Sequence, residues 1–202
     1  MLNECLIVAE NLHKNGSKSW SSDVHKIFSL FNVKVSENLG QINIPELKKQ
    51  IYSQFRNFWT NSLQNMQGKL RTYAKFKTDF VMEKYVRETP FSLRANYTRF
   101  RISAHNLAIE TGRHTRPITP VEKRICGNCS SNEVEDEIHV LLRCCKYKEK
   151  RKEIFDEIND NCKNFSTLSE ESKFIYMLNS EDQILNCCLE LVNYIFETRR
   201  SS

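Results

Sequence analysis

Apolar residues recur along this chain at intervals of three and four, the spacing of one helix face, and scarcely anywhere alternate as a half-buried strand would. Leu2, Cys5, Leu6, Ala9 and Leu12 form the first stripe, which stops at Gly16, a residue suited to a helix C-cap. Val24, Ile27, Phe28 and Phe31 form a second, with Ser21 or Ser22 able to cap its start. A loop through Gly40 leads to Pro45, where the first turn of a helix tolerates proline. The long stripe that follows runs Leu47, Ile51, Phe55, Phe58, Trp59, Leu63 and Met66, and ends near Gly68. Leu70, Tyr73, Phe76 and Phe80 predict another helix. After Thr89-Pro90, the stripe Leu93, Tyr97, Phe100, Ala104 and Leu107 predicts one continuous helix to Gly112. Pro117 and Pro120 punctuate a linker into a cysteine-rich stretch. Ile154, Phe155 and Ile158 mark the next helix, and Phe174 and Leu178 another. A Ser180…Gln183 capping box then opens a helix carrying Ile184, Leu185, Cys188, Leu191, Val192, Ile195 and Phe196. No strand pair, internal repeat or low-complexity tract is present. The expected fold is all-α, with a small metal-stapled loop and helix. It divides into an N-terminal helical segment (1–43), a basic helical region (44–116), a cysteine segment (117–160) and C-terminal helices (161–202).

Composition narrows this picture. The 202 residues are 40% hydrophobic, enough for one domain core or two small ones. Five glycines and four prolines are too few for a turn-rich sandwich or barrel. No apolar run approaches the ~20 residues of a membrane span. Leu6-Ile7-Val8-Ala9, flanked by Glu4 and Glu10, is too short for a secretory core, so an intracellular chain without a membrane partner is expected. Charge is unevenly spread. Residues 45–116 hold fourteen basic and five acidic groups, net +9, whereas 117–202 hold twelve and sixteen, net −4.

Eight cysteines in a chain without a secretion signal do not read as a disulfide framework. Cys5, Cys162, Cys187 and Cys188 sit in apolar helical contexts as small buried hydrophobes. Cys126, Cys129, His139 and Cys144 are different: their order is C-x2-C-x9-H-x4-C. Two thiols across a two-residue turn can reach one tetrahedral ion, and Gly127 is expected to relieve crowding there. Three thiolates and an imidazole form a closed set suited to structural zinc, with no open position for a catalytic water. On an unbroken α-helix His139 and Cys144 would lie about 140° apart, so the helix must end or distort near Arg143. Cys145 is assigned to packing or to support of the ligands. A redox CxxC lacks the surrounding βαβ pattern, and a pair of ordinary buried thiols plus a helix histidine is the remaining alternative. Glu133, Glu135, Asp136 and Glu137 are read as helix N-terminal charges, or else as a carboxylate cluster for a divalent ion.

Arg94, Thr98, Arg101 and His105 fall on one row of the helix expected after Pro90. Arg71 and Lys75 pair on the preceding helix, and Arg113 and Arg116 precede the cysteines. A solvated face explains such residues equally well, but guanidinium groups beside a rigid metal loop also suit phosphate contacts to RNA or DNA. Arg71, Lys75, Arg94, Arg101 and Arg113 are the candidate contacts. The run Lys146-Tyr147-Lys148-Glu149-Lys150-Arg151-Lys152 reads as a solvated helix face or a diluted import signal.

Three runs together resemble a known family. They are Lys69-Leu70-Arg71-Thr72-Tyr73 with Phe76-Lys77, the run Arg99 to Arg113 with its H-x-L-x-I-E-x-G-R core, and Arg124-Ile125-Cys126 through Val134-Glu135-Asp136-Glu137-Ile138-His139 to Cys144. From about Trp20 to Arg151 the chain is similar to the C-terminal region of non-LTR (LINE-type) retrotransposon polyproteins. That region lies downstream of the reverse transcriptase and carries a zinc-binding motif. The resemblance implies a region contacting RNA or target DNA beside a polymerase. No Tyr/Phe-x-Asp-Asp occurs, so the polymerase's catalytic loop is missing and no catalytic residue is expected. Cys145 stands where relatives often carry proline. Some relatives append a nuclease; only Asp160…Glu171-Ser172-Lys173 imitates its spacing, in a stretch that reads helical. The expected function is therefore a non-catalytic, zinc-stabilised nucleic-acid-binding segment. The alternative is a scaffold docking on a reverse transcriptase through the apolar last helix.

Overall fold

Gly16 ends the first helix at φ +72, with Ser17 N donating to Leu12 O (2.9 Å). This left-handed closure is one that glycine adopts without penalty. The computed structural model describes residues 2–32, 43–65 and 70–200, with side chains from residue 4. Gly40, Met66 and Gly68 lie outside them. The chain forms two compact units, Met1–Ser62 and Leu63–Ser202. No described helix is long and apolar enough to cross a membrane.

The first unit contains α1 (Leu2–Lys14), α2 (Trp20–Leu30) and most of α3 (Ile44–Gln64). The cap of α2 is Ser19, earlier than the expected Ser21 or Ser22. Ser19 and Ser22 exchange side-chain-to-backbone bonds of 3.3 Å, a reciprocal capping box. Ser21 instead turns back to donate to Glu10 Oε1 (2.6 Å), which helps fasten α2 to α1. Phe31 packs edge-on against Phe55 and Phe58 of α3. Cys5 is exposed, not the buried thiol expected.

The second unit is built around α10 (Asp182–Arg200). It packs on α6 (Phe91–Arg101), α8 (Lys148–Asn161) and α9 (Glu170–Asn179). Leu185, Cys188, Leu191, Val192 and Ile195 join Tyr97, Phe100, Ile154, Ile158, Phe165, Phe174 and Met177 in one core. Within it Asn96 Nδ2 donates to Asn193 Oδ1 (2.7 Å) and Asn193 Nδ2 to Leu189 O (2.8 Å). A satisfied buried amide pair fixes the register of α6 on α10, because slippage would orphan both groups. The boundaries expected at 116/117 and 160/161 both fall inside this unit, whose core draws on all three flanking segments.

Three expected helices are shorter or start elsewhere. Residues 70–80 give only α4 (Tyr73–Phe76), and Lys84–Glu88 forms α5. The helix after Pro90 ends at Arg101. Ser103 is left-handed at φ +53, and a separate turn, α7 (Ala108–Thr111), follows. The apolar period continues across the break because Leu107 and Ile109 are also buried, so spacing alone could not reveal it. There is no Ser180 capping box. The Ser180 hydroxyl bonds backward to Tyr176 O (2.5 Å), closing α9, and Asp182 at φ +53 opens α10.

Among the described residues, Gly112 is the one glycine whose lack of a side chain is demanded by space. A Cβ there would lie 2.7 Å from Arg124 Cγ. Arg124 cannot easily withdraw, since its guanidinium donates to Ile109 O (2.7 Å) and Thr119 O (2.9 Å). Gly112→Ala is expected to destabilise the protein by about 1–3 kcal/mol, as overpacking does. Thermal melts of the two proteins check this. A Cβ at Gly127 meets nothing within 4 Å, which corrects the crowding expected there; Gly127→Ala should melt with the parent.

Candidate metal centre

A pinched hairpin delivers the first two thiols. Ile125 and Val134 form an isolated antiparallel bridge, with Cys126 N donating to Glu133 O and Glu135 N to Arg124 O, both 2.9 Å. Cys126 and Cys129 sit in the turn this bridge closes. The other two ligands come from the segment after it. His139 N donates to Asp136 Oδ1 (2.7 Å), which caps a π-helical turn over His139–Arg143. Its i→i+5 bond, Cys144 N to His139 O (2.7 Å), unwinds the helix so that residues five apart face the same side. That is the distortion the H-x4-C spacing requires.

The four donor atoms lie within 4.8 Å of one another. Cys126 Sγ and Cys144 Sγ are 3.9 Å apart, and Cys129 Sγ and His139 Nε2 are 3.4 Å apart. Around an ion with bonds of 2.3 Å to sulfur and 2.0–2.1 Å to nitrogen, the tetrahedral edges are about 3.8 Å and about 3.6 Å. Both observed edges match. All eight cysteines are free thiols.

The surroundings favour thiolates gathered on a cation. Each sulfur takes a backbone N–H from the residue two positions on: Asn128 to Cys126, Ser131 to Cys129, Lys146 to Cys144. Burial opposes the Cys129 thiolate. Hydrogen bonds led by those from the Ser131 hydroxyl and amide outweigh it and draw that thiol down to about 6. Burial pushes Cys126 and Cys144 up, the cost of crowding sulfur charge where only a metal would balance it. His139 Nδ1 donates to Glu133 Oε2 (3.0 Å), leaving the Nε2 lone pair aimed at the thiols. A carboxylate behind a ligating imidazole is how metal sites fix tautomer and orientation. Arg143 Nε also reaches Glu133 Oε2 (3.1 Å). Cys145 is exposed, so neither packing nor ligand support is its role.

In the acidic run between the thiols and the histidine, Asp136 meets a helix N-terminus as expected, and the run is not an open divalent-ion cluster. Beside Glu133, two of its members tie the centre to the rest of the unit. Glu135 accepts from Ala108 N (2.8 Å), Asn128 Nδ2 (3.1 Å) and Arg199 Nη1 (2.5 Å). Glu137, 0% exposed, accepts from Arg71 Nη2 (2.8 Å), Ser103 Oγ (2.5 Å) and His105 Nε2 (2.9 Å). Burial would raise its pKa, but the His105 and Ser103 hydrogen bonds and the Arg71 charge hold it at about 2. Arg71 also meets Glu110 Oε1 (2.5 Å).

The expected phosphate contacts are thereby revised. Arg101 is 2% exposed, paired with Glu83, bonded to Leu178 O, and stacked 4.4 Å over Phe76 and 5.1 Å over Tyr85. It is a core residue and has no face for a phosphate. Arg71 is consumed by Glu110 and Glu137, and Lys75 pairs with Glu171. Arg94 bonds to Val86 O, and Arg113 makes one 3.4 Å pair with Glu110; both are half-buried. His105 is not on the α6 row at all, since α6 has ended before it. Arg151 of the basic run donates to Cys144 O (2.9 Å). Asp160 and Glu171 lie on α8 and α9 and share no strand edge.

No protein-family model, curated protein or solved structure matches the chain.

Proposed function

We propose that this chain is a zinc-stabilised, non-catalytic nucleic-acid-binding segment of LINE-type retrotransposon origin. One observation supports the reading above the others: two of the three runs that carry the resemblance form a single physical unit. The H-x-L-x-I-E-x-G-R run docks on the Cys3His segment through His105 to Glu137, Ala108 N to Glu135, and Ile109 N to Glu135 O (3.1 Å). Each position of the run has a use there. Leu107 and Ile109 are buried, Glu110 takes Arg71 and Arg113, and Gly112 makes room for Arg124. Zinc is the ion favoured by three thiolates and an imidazole in a closed tetrahedral set.

Arg71 and Arg101 are occupied internally and Lys75 holds only a surface pair with Glu171, so further cations are needed to meet phosphate. Arg99, Arg116 and Lys123 are exposed and make no ion pair among the described residues. Fluorescence anisotropy with labelled RNA and DNA is expected to give binding that weakens steeply between about 50 and 200 mM salt, as counterion release requires. Absence of binding at the lower salt would overturn the reading.

A protein-docking role has support from a different place than expected. The last helix is buried in its own core and offers no apolar face. The first unit instead exposes Ile7, Val8, Leu12, Trp20, Ile27 and Leu30. Capture of a reverse-transcriptase polypeptide that survives at high salt would favour this second reading.

A further inference from the structure

A half-open cavity of about 280 Å³ lies where the last turns of α6 and α10 meet, lined by Arg99, Ala104, His105, Asn106, Phe196 and Arg200. No lining residue is acidic. Its two arginines differ from other cations of the same unit. Arg71, Arg101, Lys77 and Arg199, the last of which reaches Asn106 of the lining, each face a carboxylate. Arg99 has no side-chain partner among the described residues, and Arg200 has only a 3.3 Å bond to the Asn96 amide oxygen. Their positions in the last turns of two helices suit the helix dipoles, but a partial charge does not neutralise a guanidinium. The packing of α6 on α10, fixed by Asn96 and Asn193, holds both positive charges on one cleft.

The rest of the lining narrows the ligand. Phe196 and Ala104 supply an apolar wall. His105 offers a ligand neither ring surface nor a donor, since its side chain is 0% exposed, Nε2 goes to Glu137 and Nδ1 takes the Leu107 amide (3.4 Å). Two forked cations beside an apolar wall suit a phosphate attached to something flat and partly apolar. The volume is just below the about 300–1,000 Å³ of pockets that enclose a whole small molecule, which favours one residue of a polymer. We propose that this cavity seats one nucleotide of a single strand, Arg99 and Arg200 gripping its phosphate and Phe196 bordering its sugar and base. The inference rests on the nucleic-acid-binding reading and gives it an address, which the residue row expected on α6 does not.

The test compares the intact protein with Arg99→Ala/Arg200→Ala and with Lys152→Ala/Lys163→Ala, an equal charge reduction at exposed sites on and just after α8. Anisotropy with a labelled single-stranded RNA and its DNA equivalent is read against salt. Metal content and melting temperature verify that each variant is folded. The arginine pair is expected to bind about tenfold more weakly at low salt, with a log–log slope shallower by about 0.7 for each phosphate no longer neutralised. The lysine pair should change little. Equal weakening by both pairs, or none by the arginines while the parent binds, overturns the cavity assignment and leaves the general reading intact. No strand binding by the parent overturns both. Inorganic phosphate and a mononucleotide serve as competitors. If either binds the cavity while strands do not, its ligand is a free phosphate compound and the strand proposal fails.

Discussion

Cys129→Ser, or removal of the metal with a strong chelator, is expected to open residues 120–147 to protease while α8, α9 and α10 stay folded. The turn holding Cys126 and Cys129 is closed by one isolated bridge and by the Asn128 side chain, bonded to Glu135 and Lys146, so the ligand set carries much of what keeps it in place. Structural zinc contributes local folding free energy on the order of 10 kcal/mol. The helical core by contrast is apolar and continuous around α10, and although Cys126 and Cys144 border it, most of its residues come from elements that hold no ligand. Limited proteolysis with mass spectrometry, run beside a metal assay, reads both halves of the expectation. Because the ligands must be deprotonated, acid should release the metal as well, and protease sensitivity should appear with that release. A Cys129→Ser protein with unchanged metal content and unchanged protection would remove the basis for the site.

Glu137→Ala should be the most damaging single substitution away from the ligands. It leaves Arg71, Ser103 and His105 without their common acceptor in a place closed to water. Removing one partner of a buried pair typically costs about 3–5 kcal/mol. For a protein of this size that is a fall in melting temperature of about 6–20 °C. Arg71→Ala should cost less, because Arg71 is partly exposed and Glu137 keeps Ser103 and His105. Glu137→Gln, which retains an acceptor but not the charge, should fall between. Metal content should persist in all three. A melting temperature within about 2 °C of the parent for Glu137→Ala would mean that the network does not brace the unit.

The candidate ligand set is legible in the sequence because bond lengths restrict it: only a short turn brings two thiols to one ion, and H-x4-C cannot be met on an ideal helix. The π turn at His139–Arg143 is the structural answer to that constraint. What supports the ligands is not legible. Glu137 and Arg71 are 66 positions apart, and nothing local marks them as partners. The acidic run is visible, but its nearest explanation, a helix N-terminus, holds for Asp136 and not for Glu135 and Glu137, whose partners lie far along the chain. The basic row fails for a related reason. An arginine at the border of an apolar stripe can turn either way, and Arg101 turns inward because Glu83, Phe76 and Tyr85 wait there. Arg99 stands in the same run but off the row, so helical spacing gives no reason to single it out. Helix ends at Arg101 and Asp182 coincide with left-handed residues, Ser103 and Asp182, which the period of the stripe does not mark.

X-ray absorption at the zinc edge, on protein purified without chelator, tests the central claim most directly. The expected spectrum is one ion per chain with three sulfurs at about 2.3 Å and one nitrogen at about 2.0–2.1 Å. A shell of oxygens, or protein that folds fully with no metal bound, would contradict it.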